Sequence, residues 1–272
     1  MQQFRIALLG LLVFPLSATF AQQPLVGRNV RINTADDVGI MATYYAVDAD
    51  KAPAVVLVHS VEQTRDAWKE LLPLLLQNKI AALAIDLRGH GESTRKLTTQ
   101  GPKLLDVKNF TQRDFEDMLL DVNAAVEWLM GQPGTDKKAV GLVGGSVGAN
   151  LALRYAMFNE DVAALLLLSP GMNYRGIRAD DAIRKIAPIP IRFVVSRHDP
   201  FALESCGRLL EMRQEAGYKM TKDDVTICTG NLHGTDMITG VKKLPPIMID
   251  WLKQTLAGIS TKDEVPLPKS LQ

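Results

Sequence analysis

The chain has 272 residues and a mass of 29.9 kDa, room for one large domain with a sizeable buried core. With 47% hydrophobic and 22% charged residues and a mean hydropathy of +0.03, its balance is that of an ordinary globular protein, which excludes disordered, collagenous and polytopic membrane classes. Thirty-one Lys and Arg oppose 30 Asp and Glu, no basic block could track a phosphate backbone, and neither of the 2 cysteines sits in a zinc-binding spacing. Nucleic acid, metal and cofactor are therefore not expected.

Arg5, the apolar stretch Ile6–Leu16 and the small residues before Gln22 read as a secretory signal peptide over residues 1–21. The run is too short for a membrane span, which needs about 20 apolar residues, and Pro15 interrupts it, an uncleaved anchor being the alternative reading. Its removal takes away one Arg and no acid, leaving a formally neutral chain that is expected to be periplasmic or secreted. No stable membrane span is expected after cleavage, and the oligomeric state is not legible.

Residues 22–272 contain no repeat or obvious linker and read as one domain, with a polar tail over 259–272. Val30–Asn33 and Ile40–Ala46 flank the turn-like Asp36-Asp37-Val38-Gly39 and predict an antiparallel hairpin. Short apolar runs follow at Ala54–Val58, Ile80–Ile85, Ala139–Val143, Val162–Leu168, Ile191–Val195 and Val225–Cys228, as expected of strands buried on both faces of a parallel sheet. Helical periodicity marks Ala67–Leu76, Phe115–Met130, Val147–Phe158, Ala179–Ile186, Ala202–Ala216 and Lys243–Leu256. Thr111 followed by Asp114 has the form of a capping box. Strand and helix alternating in this way predict a doubly wound α/β sheet.

Chemistry enters where Val140-Gly141-Leu142-Val143 runs into Gly144-Gly145-Ser146-Val147-Gly148 and then into helical Ala149–Leu153, a GxSxG between strand and helix. A serine on such a tight turn has its Oγ exposed above the sheet, and the helix that begins there supplies free N–H groups where an oxyanion would form. The other use of a glycine-rich turn, phosphate or dinucleotide binding, is disfavoured because neither GxGxxG nor GxxxxGK[ST] fits residues 141–150.

A serine hydroxyl needs a positioned base, and the base needs an acid to orient it. Of the 4 histidines, His59, His90, His198 and His233, only His233 lies in a loop after the last strand, where a resemblance to the α/β hydrolases, whose chain order is Ser, acid, His, would place the base. Asp199, after the strand that ends at Ser196, is the candidate acid, because the C-terminal end of a parallel strand shares an edge with Ser146. Asp180, Asp181, Asp223 and Asp224 compete but read as surface charges, and Asp199 itself could instead cap the helix that follows it.

On these residues the chain resembles the α/β-hydrolase superfamily. Asp86-Leu87-Arg88-Gly89-His90-Gly91-Glu92-Ser93 is similar to the loop after that superfamily's fourth strand and is the most specific string in the chain. The resemblance implies the α/β-hydrolase fold, a mostly parallel eight-stranded sheet with helices on both faces and a short lid, with Ser146 as nucleophile, Asp199 as acid and His233 as base. Asp86, His90 and Ser93 match positions that shape a loop near the site. By position, Val61 and Val147 would supply the oxyanion N–H groups. Where the superfamily usually has His-Gly, this chain has His59-Ser60, so the Ser60 side chain is expected to narrow the substrate pocket or to offer it a hydroxyl.

Pro170–Ile189 leaves room for one lid helix, and Tyr174 within it is a candidate substrate-binding residue. The whole resembles small dienelactone-hydrolase-like and serine-aminopeptidase-like members, which implies a serine hydrolase cleaving small acyl esters through an acyl-serine intermediate. A peptidase or amidase on the same triad, or a non-catalytic binding protein of this fold, are the alternatives. For Cys206 and Cys228, a disulfide closing a loop of about 20 residues is expected in an oxidising compartment, the alternative being two buried thiols.

Overall fold

The computed structural model describes residues 26–221 and 224–260. The expected signal peptide and Asp223 lie outside the described residues, as does the tail from residue 261 onwards. The described residues begin with β1 (Arg28–Asn33), β2 (Val38–Tyr45) and β3 (Ala52–Val58), continue through a 3-10 turn at Arg65–Trp68 into α1 (Leu72–Gln77), and return as β4 (Ala81–Ile85). A hairpin of β5 (Arg95–Thr98) and β6 (Gly101–Leu104) precedes α2 (Gln112–Glu116), α3 (Leu119–Met130), β7 (Thr135–Gly145) and α4 (Val147–Phe158). Then come β8 (Ala164–Leu168), a short β9 (Asn173–Tyr174) and β10 (Ile177–Arg178), and α5 (Asp180–Lys185). The described residues close with β11 (Ile191–Ser196), α6 (Pro200–Glu215), β12 (Val225–Cys228), α7 (Asp236–Gly240) and α8 (Leu244–Ser260).

Among the described residues, ten strands form one sheet in the order β12-β11-β8-β7-β3-β4-β2-β5-β6, with β1 also paired to β2. The run from β12 to β4 is parallel, whereas β2, β5, β6 and β1 are antiparallel to their neighbours. The expected eight strands are present, and β5 and β6 are the correction. Their Arg95-Lys96-Leu97-Thr98 and Gly101-Pro102-Lys103-Leu104 are mostly exposed and lack the alternation of a buried strand, as suits an edge hairpin that carries Pro and Lys.

Both faces of the parallel part are dry. On β3, Ala54, Val56 and Val58 point into the larger apolar cluster, with residues of α3, α4 and α6, while Val55 and Leu57 point into the second, with residues of α1 and α8. The strand period of two thus feeds two cores, which is why these segments read as unbroken apolar runs.

Two expected helices are shorter than their periodicity suggests. The segment Ala67–Leu76 becomes a 3-10 turn followed by α1, which puts Pro73 in the first turn, where its missing N–H leaves no helix bond unmade. The segment Phe115–Met130 divides at Asp117–Met118, where Met118, Leu120 and Asp121 N–H groups bond three residues back rather than four. The capping box of Thr111 and Asp114 is present and starts α2. Beneath α3, the fully buried Asp121 carboxylate accepts from the backbone N–H and Nε of Arg88, whose other nitrogens reach Asp36, so the loop after β4 is pinned by a paired buried charge.

The lid segment of residues 170–189 contains α5 and the small β9–β10 hairpin. Two buried side chains moor it. Asn150 on α4 donates to the Gly171 and Ile177 carbonyls and accepts from the Gly171 N–H. Arg213 on α6 donates to the Ile183, Ile186 and Ala187 carbonyls at the end of α5.

The two cysteines are free thiols, so the expected disulfide is corrected. Cys206 belongs to the apolar cluster on one face of the sheet and Cys228 to the cluster on the other, and the sheet itself separates them. No helix among the described residues is long and apolar enough to cross a membrane.

Candidate active site

Parallel strands in register end together, and that edge gathers the candidate residues. Val58 pairs with Gly144, Gly145 with Leu168, and Leu168 is aligned through Val194 with the end of β11. Ser146 stands between β7 and α4 with φ 53° and ψ −117°, a left-handed backbone that L side chains rarely adopt. The turn is tight enough that a Cβ on Gly144 would lie 2.3 Å from the Gly148 carbonyl oxygen, and one on Gly148 would lie 2.3 Å from the Val58 carbonyl oxygen.

His233 lies between β12 and α7 and Asp199 between β11 and α6, yet His233 reaches Ser146 and Asp199 reaches His233. His233 Nε2 is 2.9 Å from Ser146 Oγ, and His233 Nδ1 is 2.6 Å from Asp199 Oδ2. With the acceptor carboxylate on Nδ1, that nitrogen carries the proton and Nε2 is left to accept from the serine hydroxyl. The other oxygen of Asp199, Oδ1, accepts from the Ala202 N–H, so the residue also caps α6. Its two possible uses are divided between its two oxygens. The competing acids are elsewhere: Asp180 pairs with Arg178, and Asp224 bonds the Thr221 backbone and hydroxyl.

Val147 follows Ser146 directly in the chain, and Val61 follows Ser60 beyond the end of β3. Val147 opens α4, where a first-turn N–H has no partner within the helix. The Ser60–Val61 peptide is held through its carbonyl, which accepts from His59 Nδ1 at 2.7 Å and from the Gln63 N–H at 3.1 Å. Carbonyl and N–H point in opposite directions across a trans peptide, so this grip turns the Val61 N–H away from His59.

His59 is fully buried, and its Nε2 accepts from the Leu87 N–H at 3.0 Å. Burial, with the neighbouring His90 adding to it and the Ser60 carbonyl opposing, brings the imidazole down to about 3. Between about 3 and 6.5 the unfolded chain binds a proton that the folded chain refuses, so stability is lost as pH falls through that window. The limiting slope is about 1.4 kcal/mol per pH unit for one such group. Urea unfolding followed from pH 7 to pH 4 should show this loss, and His59→Gln should flatten it. A profile equally steep in the variant would contradict the assignment.

Ser60 is buried and its hydroxyl is engaged by the Thr235 N–H and the Thr235 hydroxyl, each at 3.0 Å. Its contact is with the loop that carries His233. Tyr174 lies edge-on to the His233 ring at 5.8 Å between centroids, leans on Phe201 at 5.4 Å, and donates to the Ser169 carbonyl at 3.2 Å. Burial, then the Asp199 charge and Cys206, raise its phenol above the ordinary value against a smaller effect of Ser146, so it stays a neutral O–H beside the site. Asp86, His90 and Ser93 are buried in the loop behind: Asp86 accepts from the Arg65 and Glu92 N–H groups, and Ser93 Oγ joins the Asp86 carbonyl to the Met41 N–H.

A model of the "alpha/beta hydrolase fold" family matches residues 53–193. The chain belongs to the α/β-hydrolase fold family. The matched stretch includes Ser146 and ends before Asp199 and His233, which this α/β-hydrolase chain brings to the serine by folding. Two uncharacterized proteins from strains of Mycobacterium tuberculosis are each 28% identical over 145 residues, 53% of this chain and 46% of theirs. The chain thus spans about half the length of the curated relatives it matches. Among solved structures, an esterase of Pyrococcus furiosus superposes with a TM-score of 0.66 at 19% identity, covering 85% of this chain and 94% of that one. A dienelactone hydrolase of Anabaena variabilis gives 0.63 at 17% identity, with 85% and 98% covered. A putative dipeptidyl aminopeptidase IV of Bacteroides ovatus gives 0.64 at 14% identity, with 85% and 36% covered.

Asn150 was not singled out by its sequence pattern. An Asn amid Gly-Ala-Asn-Leu-Ala reads as an ordinary helix residue, and only its full burial in an apolar helix face signals that it must bond something.

Proposed function

We propose that this chain is a serine hydrolase that cleaves small acyl esters. The observation that carries the reading is the unbroken relay from Ser146 Oγ to His233 Nε2 and from His233 Nδ1 to Asp199 Oδ2, at 2.9 and 2.6 Å, on a strained strand-to-helix turn. In this reading His233 Nε2 takes the Ser146 proton as Oγ attacks the ester carbonyl, and Asp199 stabilises the imidazolium without taking a proton itself. The Val61 and Val147 N–H groups receive the oxyanion of the tetrahedral intermediate. His233 then returns the proton to the leaving alkoxide, and a water activated by the same imidazole releases the acid from the acyl-serine.

The ester preference is supported by the esterase and dienelactone hydrolase among similar folds, and the same triad could cleave an amide, as the name of the aminopeptidase-like neighbour suggests. A panel of p-nitrophenyl esters against aminoacyl p-nitroanilides separates the two. Ester turnover well above amide turnover is expected, and a reversed ratio would move the assignment to a peptidase. The expected leader over residues 1–21 supports a periplasmic or secreted location as part of the same proposal.

The lid sets a second expectation. Its 20 residues carry Arg175, Arg178, Asp180 and Asp181 and offer little apolar surface for covering a lipid-binding face. Rates should rise smoothly with short-chain ester concentration and show no jump at the solubility limit. A marked preference for emulsified long-chain glycerides would contradict it.

A further inference from the structure

His233 is poorly held by packing. Its side chain is 39% exposed, and its loop contains Gly230 and Gly234, both with left-handed φ. A loop of this kind is expected to move, yet a base must stay on its serine to within a fraction of an ångström. Backbone groups on both sides of the histidine are bonded to serine hydroxyls instead. The Leu232 carbonyl accepts from Ser196 Oγ at 2.5 Å, the Gly234 N–H donates to Ser169 Oγ at 3.0 Å, and the Thr235 N–H donates to Ser60 Oγ at 3.0 Å.

The three serines come from three strands. Ser60 follows β3, Ser169 follows β8 and Ser196 ends β11, so they lie on both sides of β7 and Ser146 in the sheet order. All are buried, at 7%, 0% and 0% exposure. Ser169 adopts φ 48°, a left-handed backbone at a residue with a side chain, while its own N–H bonds the Val194 carbonyl at 2.7 Å. The fit is close: a Cβ on Gly234 would lie 2.3 Å from Ser60 Oγ and 3.3 Å from Ser146 Cβ.

We propose that Ser60, Ser169 and Ser196 are positioning residues that clamp the backbone on either side of His233 and hold its Nε2 on Ser146. The proposal rests on the serine-hydrolase reading of Ser146, His233 and Asp199. Its consequence is that the clamp acts on the chemical step and little on substrate affinity, because all three hydroxyls are buried and bonded to the loop.

The test uses the full chain with Ser60→Ala, Ser169→Ala and their double variant, read by kcat and KM for a short-chain p-nitrophenyl ester, by the rate of fluorophosphonate labelling, and by the proton resonance of His233 Nδ1–H. Thr34→Ala is the comparison, since Thr34 is 5% exposed and its hydroxyl ties the β1–β2 turn to Val38, away from the site. Each single variant should lower kcat and the labelling rate about 10-fold, and the double variant about 100-fold, with KM changed less than about 2-fold. The Nδ1–H resonance should broaden in proportion as the loop gains freedom. Thr34→Ala should lower Tm and leave kcat and the resonance unchanged. Folded serine variants with wild-type kcat and a sharp Nδ1–H signal would overturn the clamp. A wild-type chain that resists the phosphonate would instead overturn the hydrolase reading, and the resonance alone would then decide the clamp.

Discussion

Ser146→Ala and His233→Ala should each lower kcat by about 10^4-fold or more, and Asp199→Asn by somewhat less, because groups that act as one unit are each indispensable. The geometry gives each variant a distinct signature. Ser146→Ala removes the attacking oxygen and His233→Ala its only base, since Nε2 of that ring is the sole side-chain nitrogen bonded to Ser146 Oγ among the described residues. Asn at position 199 can still accept from the Ala202 N–H and so keep the cap of α6, but it no longer enforces the tautomer that leaves Nε2 free. Asp199→Ala should lose the cap as well, at about 1 kcal/mol, so that its Tm falls below that of Asp199→Asn while the two have similarly poor kcat. Steady-state ester hydrolysis and thermal unfolding of the four variants check this, and Ser146→Ala with near-wild-type kcat would contradict the mechanism.

The second large effect is expected at Gly148, where alanine should destabilise the fold by about 3 kcal/mol or more. The added methyl would stand 2.3 Å from the Val58 carbonyl oxygen and 2.7 Å from that of His59, both backbone atoms of the neighbouring strand end and unable to rotate aside. Relief requires α4 to move away from the end of β3, which carries Ser146 and the Val61 N–H apart. The folded fraction should therefore also lose about 100-fold in kcat, as an ångström of misplacement costs. Denaturant titration with activity measured on the same sample tests both parts. Gly207→Ala, on an exposed turn of α6 with nothing within 4 Å of the new Cβ, should leave kcat nearly unchanged and raise stability by about 0.5–1 kcal/mol.

Much of this fold was legible because its strands announce themselves. A parallel strand buried on both faces, such as Val55–Val58 or Leu165–Leu168, has no polar alternation to blur it, and α4 could be bounded at Val147 and Phe158 by the glycine turn before it and Asn159 after it. Legibility ended at exposed elements: β5 and β6 pair through their backbones, and their side chains carry almost no signal of it. The split between α2 and α3 comes from a tightening of backbone bonds within one turn, which a helical period averages away. The cysteines failed for a different reason. Their spacing along the chain permits a bridge, but the side of the sheet on which each lies depends on α6 packing against one face and β12 pointing Cys228 to the other.

At the site, Ser146, Asp199 and His233 could be chosen from strand ends and the chain order that the resemblance to α/β hydrolases implies, and the structure brings those three together. What the sequence leaves invisible is the scaffolding of the site. Ser60 reads as a pocket residue because it replaces a glycine, and its hydroxyl is found on Thr235. Ser169 and Ser196 read as polar residues that merely end strands, and their bonds to Gly234 and Leu232 exist only once a distant loop has folded over them. Backbone acceptors and donors carry no side-chain signature, so contacts made to them cannot be read from residue types.

The central claim, that Ser146 is a nucleophile activated by His233, is met most directly by fluorophosphonate labelling of the folded chain with intact and peptide mass spectrometry. One phosphonyl group should be found per chain, on the peptide containing Ser146, absent in Ser146→Ala and greatly slowed in His233→Ala. An unlabelled wild-type chain, or an adduct that persists on another residue in Ser146→Ala, would contradict it.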